Sequence, residues 1–85
     1  MGFTYRTEPQ FDKNFKRLTK KGKGLKERVL SKIEDICTDP RIGKPLRNEL
    51  RGMLRAHIGS YVIIYAIIGN EIVFMNFDHH DFVYN

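Results

Sequence analysis

The chain has 85 residues, 41% of them hydrophobic, with 15 Lys and Arg against 10 Asp and Glu and a formal net charge of +5. A chain this short buries only about 60–65% of its extended surface, which excludes a divided core and predicts one domain over residues 1–85. The single cysteine, Cys37, excludes an internal disulfide, and the apolar run over residues 58–68 contains turn residues and is too short to cross a bilayer.

Residues 1–6 lack the apolar core of a secretory leader, so a cytoplasmic location is expected. Residues 2–6 alternate with Phe3 and Tyr5 on one side, the pattern of a short strand. Thr7, followed three residues later by Gln10, reads as a capping box, and Pro9 between them is tolerated in a first helical turn. Phe11, Phe15 and Leu18 then form the stripe of an amphipathic helix whose other face carries Asp12, Lys13, Lys16 and Arg17. Gly22 and Gly24, set among Lys20, Lys21 and Lys23, end that helix and make a cationic loop.

A second helix is predicted from the line Leu25, Val29, Ile33 and Ile36, ending before Pro40 because proline disfavours helix in the residue preceding it. Cys37 on its apolar side reads as core filler. The two helices make an αα-hairpin able to cover one face of a sheet. Residues 41–52 are irregular, broken by Gly43, Pro45 and Gly52, charged by Lys44, Arg47 and Arg51, and pinned by Leu46 and Leu50.

Two hairpins follow. Gly59-Ser60 and Gly69-Asn70 are two-residue turns with glycine first, the chemistry of a primed hairpin turn. A two-residue first turn sets Ile58 against Tyr61, His57 against Val62, Ala56 against Ile63 and Arg55 against Ile64. Arg55, His57, Val62 and Ile64 then share one face; Leu54, Ala56, Ile58, Tyr61 and Ile63 share the other. Carried through the second turn, the register adds Val73, Met75 and Phe77 to the face of Arg55 and Ile72 and Phe74 to the opposite one. The predicted fold is α+β: a small antiparallel sheet of about four strands in the chain order β-α-α-β-β-β, with the helix pair on one face. The other face is expected to hold two cations, Arg55 and His57, beside an apolar floor open to a partner.

Charge is unevenly spread: residues 13–55 hold fourteen of the fifteen lysines and arginines against five acids, a net of +9, and the flanks carry −4. A basic half on a small domain is the footprint of a nucleic-acid binder, with a merely solvated helix surface as the plainer alternative. Lys13, Lys16, Arg17, Lys20, Lys21, Lys23, Lys44, Arg47 and Arg51 are the candidate phosphate contacts. Three histidines and one cysteine without ligand spacing argue against a zinc site, and no phosphate-binding glycine loop or catalytic triad motif is present, so neither metal nor cofactor is expected.

The order strand, helical hairpin, basic connector, Leu50-Arg51-Gly52, the segment Leu54-Arg55-Ala56-His57-Ile58-Gly59-Ser60-Tyr61, then Ile64-Tyr65 and a last strand closing on Tyr84 resembles the RelE/ParE superfamily of toxin-antitoxin toxins, and most of all its archaeal RelE members. The resemblance covers nearly the whole chain. It implies a cytosolic toxin that enters the ribosomal A site and cleaves mRNA there, neutralised by a RelB-type antitoxin in a hetero-oligomer. Other members, of the ParE type, inhibit DNA gyrase without catalysis, and an inactivated homologue that still binds RNA or antitoxin is a third reading. The family's basic pair on the first hairpin strand is matched by Arg55 and His57, and its terminal tyrosine by Tyr84. Val62 and His80 stand where the family often has arginine.

Metal-free RNA cleavage through the 2′-hydroxyl needs a base, an acid and positive charge at the crowded phosphate. Histidine supplies the first two and arginine the third. The candidate catalytic set is therefore Arg55 on the phosphate, His57 with His79 or His80 in proton transfer, and Tyr84 stacking on a base or donating its hydroxyl. Adjacent strand histidines point opposite ways, so only one of His79 and His80 is expected at this face: His79 if Phe77 keeps its register, His80 if the resemblance governs. Val62, Ile64, Val73, Met75 and Phe77 are expected to form an exposed floor that seats an antitoxin helix.

Overall fold

In the computed structural model, which describes residues 3–47 and 50–84, strand β1 (Thr4–Thr7) leads into helix α1 (Pro9–Thr19) and then helix α2 (Lys23–Thr38). A 3-10 turn (Pro40–Ile42) follows, then β2 (Lys44–Pro45), β3 (Leu54–Ile58), β4 (Tyr61–Ile68) and β5 (Glu71–His79). Pro9 opens α1, where its missing N–H costs nothing. The expected capping box is not used: Glu8 is the N-cap and makes no side-chain capping bond. Its N–H instead donates to the Phe74 carbonyl at 2.9 Å, so the strand runs straight into the helix.

One sheet is formed, in the order β1-β5-β4-β3-β2. It differs from the expected four-stranded antiparallel sheet in two ways. The outer edge of β5 would leave a row of peptide groups unpaired, and β1 fills it by lying parallel to β5 over Glu71, Ile72, Val73 and Phe74. On the opposite edge the connector contributes the two-residue β2, Lys44 facing Arg55 and Pro45 facing Leu54. Proline is tolerated there because an edge strand needs few donors.

The β3–β4 pairing has the register that its turn chemistry predicts, Ile58 with Tyr61 through Arg55 with Ile64. Gly59 takes φ +60°, a value that strains any residue with a side chain. The β4–β5 pairing departs from expectation. Ile64 pairs with Asn76 but Tyr65 with Phe74, so Met75 is an extra residue in a β-bulge. A single inserted residue exchanges the faces of everything beyond it. Phe77 now lies opposite Ile63, toward the helices.

The main core sits between helices and sheet: Phe11, Val29 and Ile36 meet Ile58, Ile63, Tyr65, Ile72, Phe74 and Phe77. Phe77 is fully buried there, its ring 5.6 Å from that of Tyr61. The far face is not bare. Val83, in the turn after β5, packs with Val62 and Ile64, and Leu46 and Met53 close the rim of this second cluster. The expectation of an exposed floor is therefore corrected: Val62, Ile64, Val73 and Phe77 are all buried, and Met75 is half-buried. Alternation alone does not show that the last residues fold back over the sheet.

Candidate functional site

Arg55 lies on the face away from the helices, as its pairing with Ile64 requires, and Tyr84 comes to it from the end of the chain. Nη1 of Arg55 donates to the Tyr84 hydroxyl at 3.4 Å. Because that oxygen accepts from arginine, the phenolic proton is left to point elsewhere. Nε of Arg55 is buried with no hydrogen-bond partner among the described residues. An unmet N–H of this kind costs about 1–3 kcal/mol, which a fold tolerates where the group has other work.

Lys44 stands directly across the β2–β3 ladder from Arg55. Like charges in that position repel. Together with Arg47, Pro45 and Leu46 they line a groove of about 480 Å³, and among the described residues no carboxylate pairs with any of the three cations. The nearest acid in the sheet rows, Asp78 beside Val62 and His57, is occupied: its Oδ2 lies 3.4 Å from Nη2 of Arg17. Three cations converging on one groove suit a phosphate, which supplies opposite charge and accepts several bonds at once.

His57 shares the face of Arg55 two residues along the strand, so the guanidinium and imidazole leave the same β surface about 7 Å apart along it. It is exposed and lines a second groove, with Arg28, Ser31, Lys32 and Asp35 of α2, rather than the groove of Arg55 and Lys44. The other two histidines lie elsewhere. The bulge at Met75 turns His79 to the helix side, opposite Tyr61, with the rings 5.7 Å apart and edge to face. The dependence on Phe77 is resolved against His79. His80 follows the strand's last residue, so the opposite-pointing rule no longer holds. Its N–H donates to the Ser60 carbonyl at 2.9 Å, and its ring stacks on His79 with centroids 4.5 Å apart. Among the described residues, neither makes a hydrogen bond or ring contact with Arg55 or Tyr84.

Two groups of consequence escaped the sequence reading. Asn14 is buried among apolar neighbours on α1 and donates through Nδ2 to Oδ1 of Asn76 at 3.0 Å; Nδ2 of Asn76 reaches the Val83 carbonyl at 3.5 Å. This chain of amides ties α1 through the bulge to the turn that carries Tyr84. A polar residue three positions after Phe11, on the stripe that runs to Leu18, was the available signal. The second is Lys26, which joins Lys13, Lys16, Arg17 and Lys20 around a depression of about 700 Å³ floored by Phe15. Lys21, Lys23 and Arg51 are exposed as well.

Burial pushes the thiol of Cys37 above its ordinary range, which suits a packing role beside the core rather than nucleophilic work. No helix among the described residues is long and apolar enough to cross a membrane.

Known proteins with similar sequences and folds place the geometry in context. The family model described as "ParE toxin of type II toxin-antitoxin system, parDE" matches residues 5–84. A Methanocaldococcus jannaschii protein with the description "Putative toxin RelE4" is 35% identical over 79 residues, covering 89% of this chain and 84% of that protein. Among solved structures, the toxin-antitoxin complex RelBE2 from Mycobacterium tuberculosis contains a chain with TM-score 0.72 and 27% identity, over 94% of this chain and 100% of that one. YafQ from Escherichia coli has TM-score 0.77 at 17% identity, over 93% and 94% of the two chains, a likeness of fold alone.

Proposed function

The chain belongs to the ParE toxin family of type II toxin-antitoxin systems, and we propose that it is a metal-independent endoribonuclease that cleaves mRNA in the ribosomal A site and so stops translation. The observation that carries this reading is the groove in which Arg55, Lys44 and Arg47 converge with no acid paired to them among the described residues, and in which Arg55 meets the Tyr84 hydroxyl. A scissile phosphodiester seated there receives charge from all three as its oxygens crowd in the transition state.

His57 is the group on this face able to take the 2′-hydroxyl proton as that oxygen bonds to phosphorus. As the bond from phosphorus to the 5′-oxygen breaks, that oxygen needs a proton, and the Tyr84 hydroxyl, held by Arg55, is placed to give it. Tyr84 is 42% exposed, so its ring also offers a stacking surface for a base. His79 has no part in this scheme because it faces the helices, and His80 keeps its contacts at the hairpin tip.

The depression lined by Lys13, Lys16, Arg17, Lys20 and Lys26 would hold ribosomal RNA by its phosphates, with the exposed Lys21, Lys23 and Arg51 as further contacts. Such contacts fix position without reading bases, which leaves the choice of message to the ribosome. A RelB-type antitoxin in the cytoplasm is the partner, in a hetero-oligomer, and it binds elsewhere than on the buried strand residues Val62, Ile64, Val73 and Phe77.

The test is a purified translation system programmed with one message, in which the new 3′ ends are mapped. Cleavage within the A-site codon, lost in Arg55→Ala, supports the reading. An intact message together with blocked DNA gyrase would overturn it in favour of a ParE-type inhibitor.

A further inference from the structure

The chain after β5 holds an arrangement that the ribonuclease scheme leaves unused. We propose that His79, His80 and Asp81 form a binding site for one borderline transition-metal ion, Zn²⁺ or Cu²⁺. One donor atom from each residue lies within 4.8 Å of the others. Nδ1 of His79 is 3.4 Å and Nδ1 of His80 is 3.1 Å from the two oxygens of Asp81. Ligands about 2.1 Å from a tetrahedral ion stand about 3.4 Å apart, so whichever oxygen of Asp81 binds, one imidazole nitrogen already stands near the separation that an edge of the polyhedron requires.

The juxtaposition follows from where the strand stops. While a strand continues, neighbouring side chains alternate, and adjacent histidines cannot share an ion. Here β5 ends at His79 and the chain turns, with the N–H groups of Phe82 and Val83 both donating to the His79 carbonyl, at 2.9 and 3.0 Å. His80 is tied by its N–H to Ser60, and the His79 ring is braced against Tyr61 and Phe82. The backbone is thus arranged in advance, which lowers the ordering cost of binding. An ion on Nδ1 of His79 must displace the weak contact in which the Asp81 N–H donates to that nitrogen at 3.2 Å.

Two imidazoles and one carboxylate select against Mg²⁺ and Ca²⁺, which prefer oxygen throughout, and in favour of Cu²⁺ and Zn²⁺. His80 and Asp81 are exposed, so water completes the coordination. An ion here would clasp the turn whose Val83 covers Val62 and Ile64, and this holds whether or not the protein cleaves RNA.

The experiment is calorimetric titration of tag-free protein with ZnCl₂, CuCl₂ and MgCl₂ in separate runs, with thermal melting in parallel. We expect one equivalent of Zn²⁺ or Cu²⁺ and no Mg²⁺ binding. His80→Gln, at an exposed position, should weaken binding at least tenfold and Asp81→Asn several-fold. Zn²⁺ should raise Tm in the native protein but not in His80→Gln, and His57→Gln should bind as the native protein does. The proposal is overturned if neither ion binds, or if His80→Gln and Asp81→Asn bind undiminished.

Discussion

Lys44 and Arg55 face each other across the narrow β2–β3 ladder, two cations in one antiparallel pair with no acid between them among the described residues. The pair is a cost to the free protein that a bound phosphate would relieve. Lys44→Ala should therefore leave folding stability within about 0.5 kcal/mol of native, or raise it slightly. It should also lower RNA affinity and reduce the slope of log affinity against log salt by about 1. Arg55→Ala should reduce cleavage by about 10²–10³. Denaturant melts and cleavage assays over a salt series read both effects. Lys44→Ala with undiminished affinity would remove Lys44 from the site.

Tyr84→Phe keeps the ring and deletes the hydroxyl that Arg55 holds at 3.4 Å. If that hydroxyl is the acid, cleavage should fall about 10²–10⁴-fold, with stability changed by less than about 0.5 kcal/mol. A single-turnover rate equal to native would leave Tyr84 a stacking role only.

Tyr65 crosses the core to fasten the connector. Its hydroxyl donates to the Pro40 carbonyl at 2.6 Å and accepts the Gly43 N–H at 2.9 Å, with the ring fully buried. Tyr65→Phe should cost about 1–3 kcal/mol by leaving both partners unmet. Gly43→Ala should also destabilise, since a Cβ there would lie 2.8 Å from Cζ of Tyr65. Burial, helped by the charge of Asp39 and opposed by the Gly43 bond, raises the Tyr65 phenol above its ordinary 10.0. The unfolded chain then loses this proton first as pH rises. The stabilisation is complete below about pH 10 and drains away as pH climbs through the folded-state value. Urea melts between pH 8 and 11 should show that decline, and Tyr65→Phe should flatten part of it.

The bulge makes a prediction opposite to that of simple alternation. Phe77→Ala should cost about 3–5 kcal/mol, as truncation of a fully buried phenylalanine does, whereas Met75→Ala, at a half-buried bulge position, should cost less than half as much. Equal costs would contradict the observed register.

How far the sequence could be read depended on distance along the chain. Phe11, Val29 and Ile36 announced their helices by spacing, and Gly59-Ser60 announced both the turn and the pairing of Arg55 with Ile64. The same logic, carried past Gly69-Asn70, failed at Met75 and so misplaced Phe77; His79, whose expected place depended on that register, lies opposite Tyr61. No local signal marks one residue of a strand as surplus; that is settled by packing against α1, where Asn14 takes hold of Asn76.

The helix stripes, the glycine turns and the basic span were determined by the sequence alone, because each depends on residues within a few positions of one another. Three features were decided only by the tertiary structure: Lys44 opposite Arg55, Tyr84 upon Arg55, and Val83 over Val62 and Ile64. Each joins segments far apart in the chain, and which distant segments meet depends on the burial and hydrogen bonding of the whole, which no short window of sequence contains.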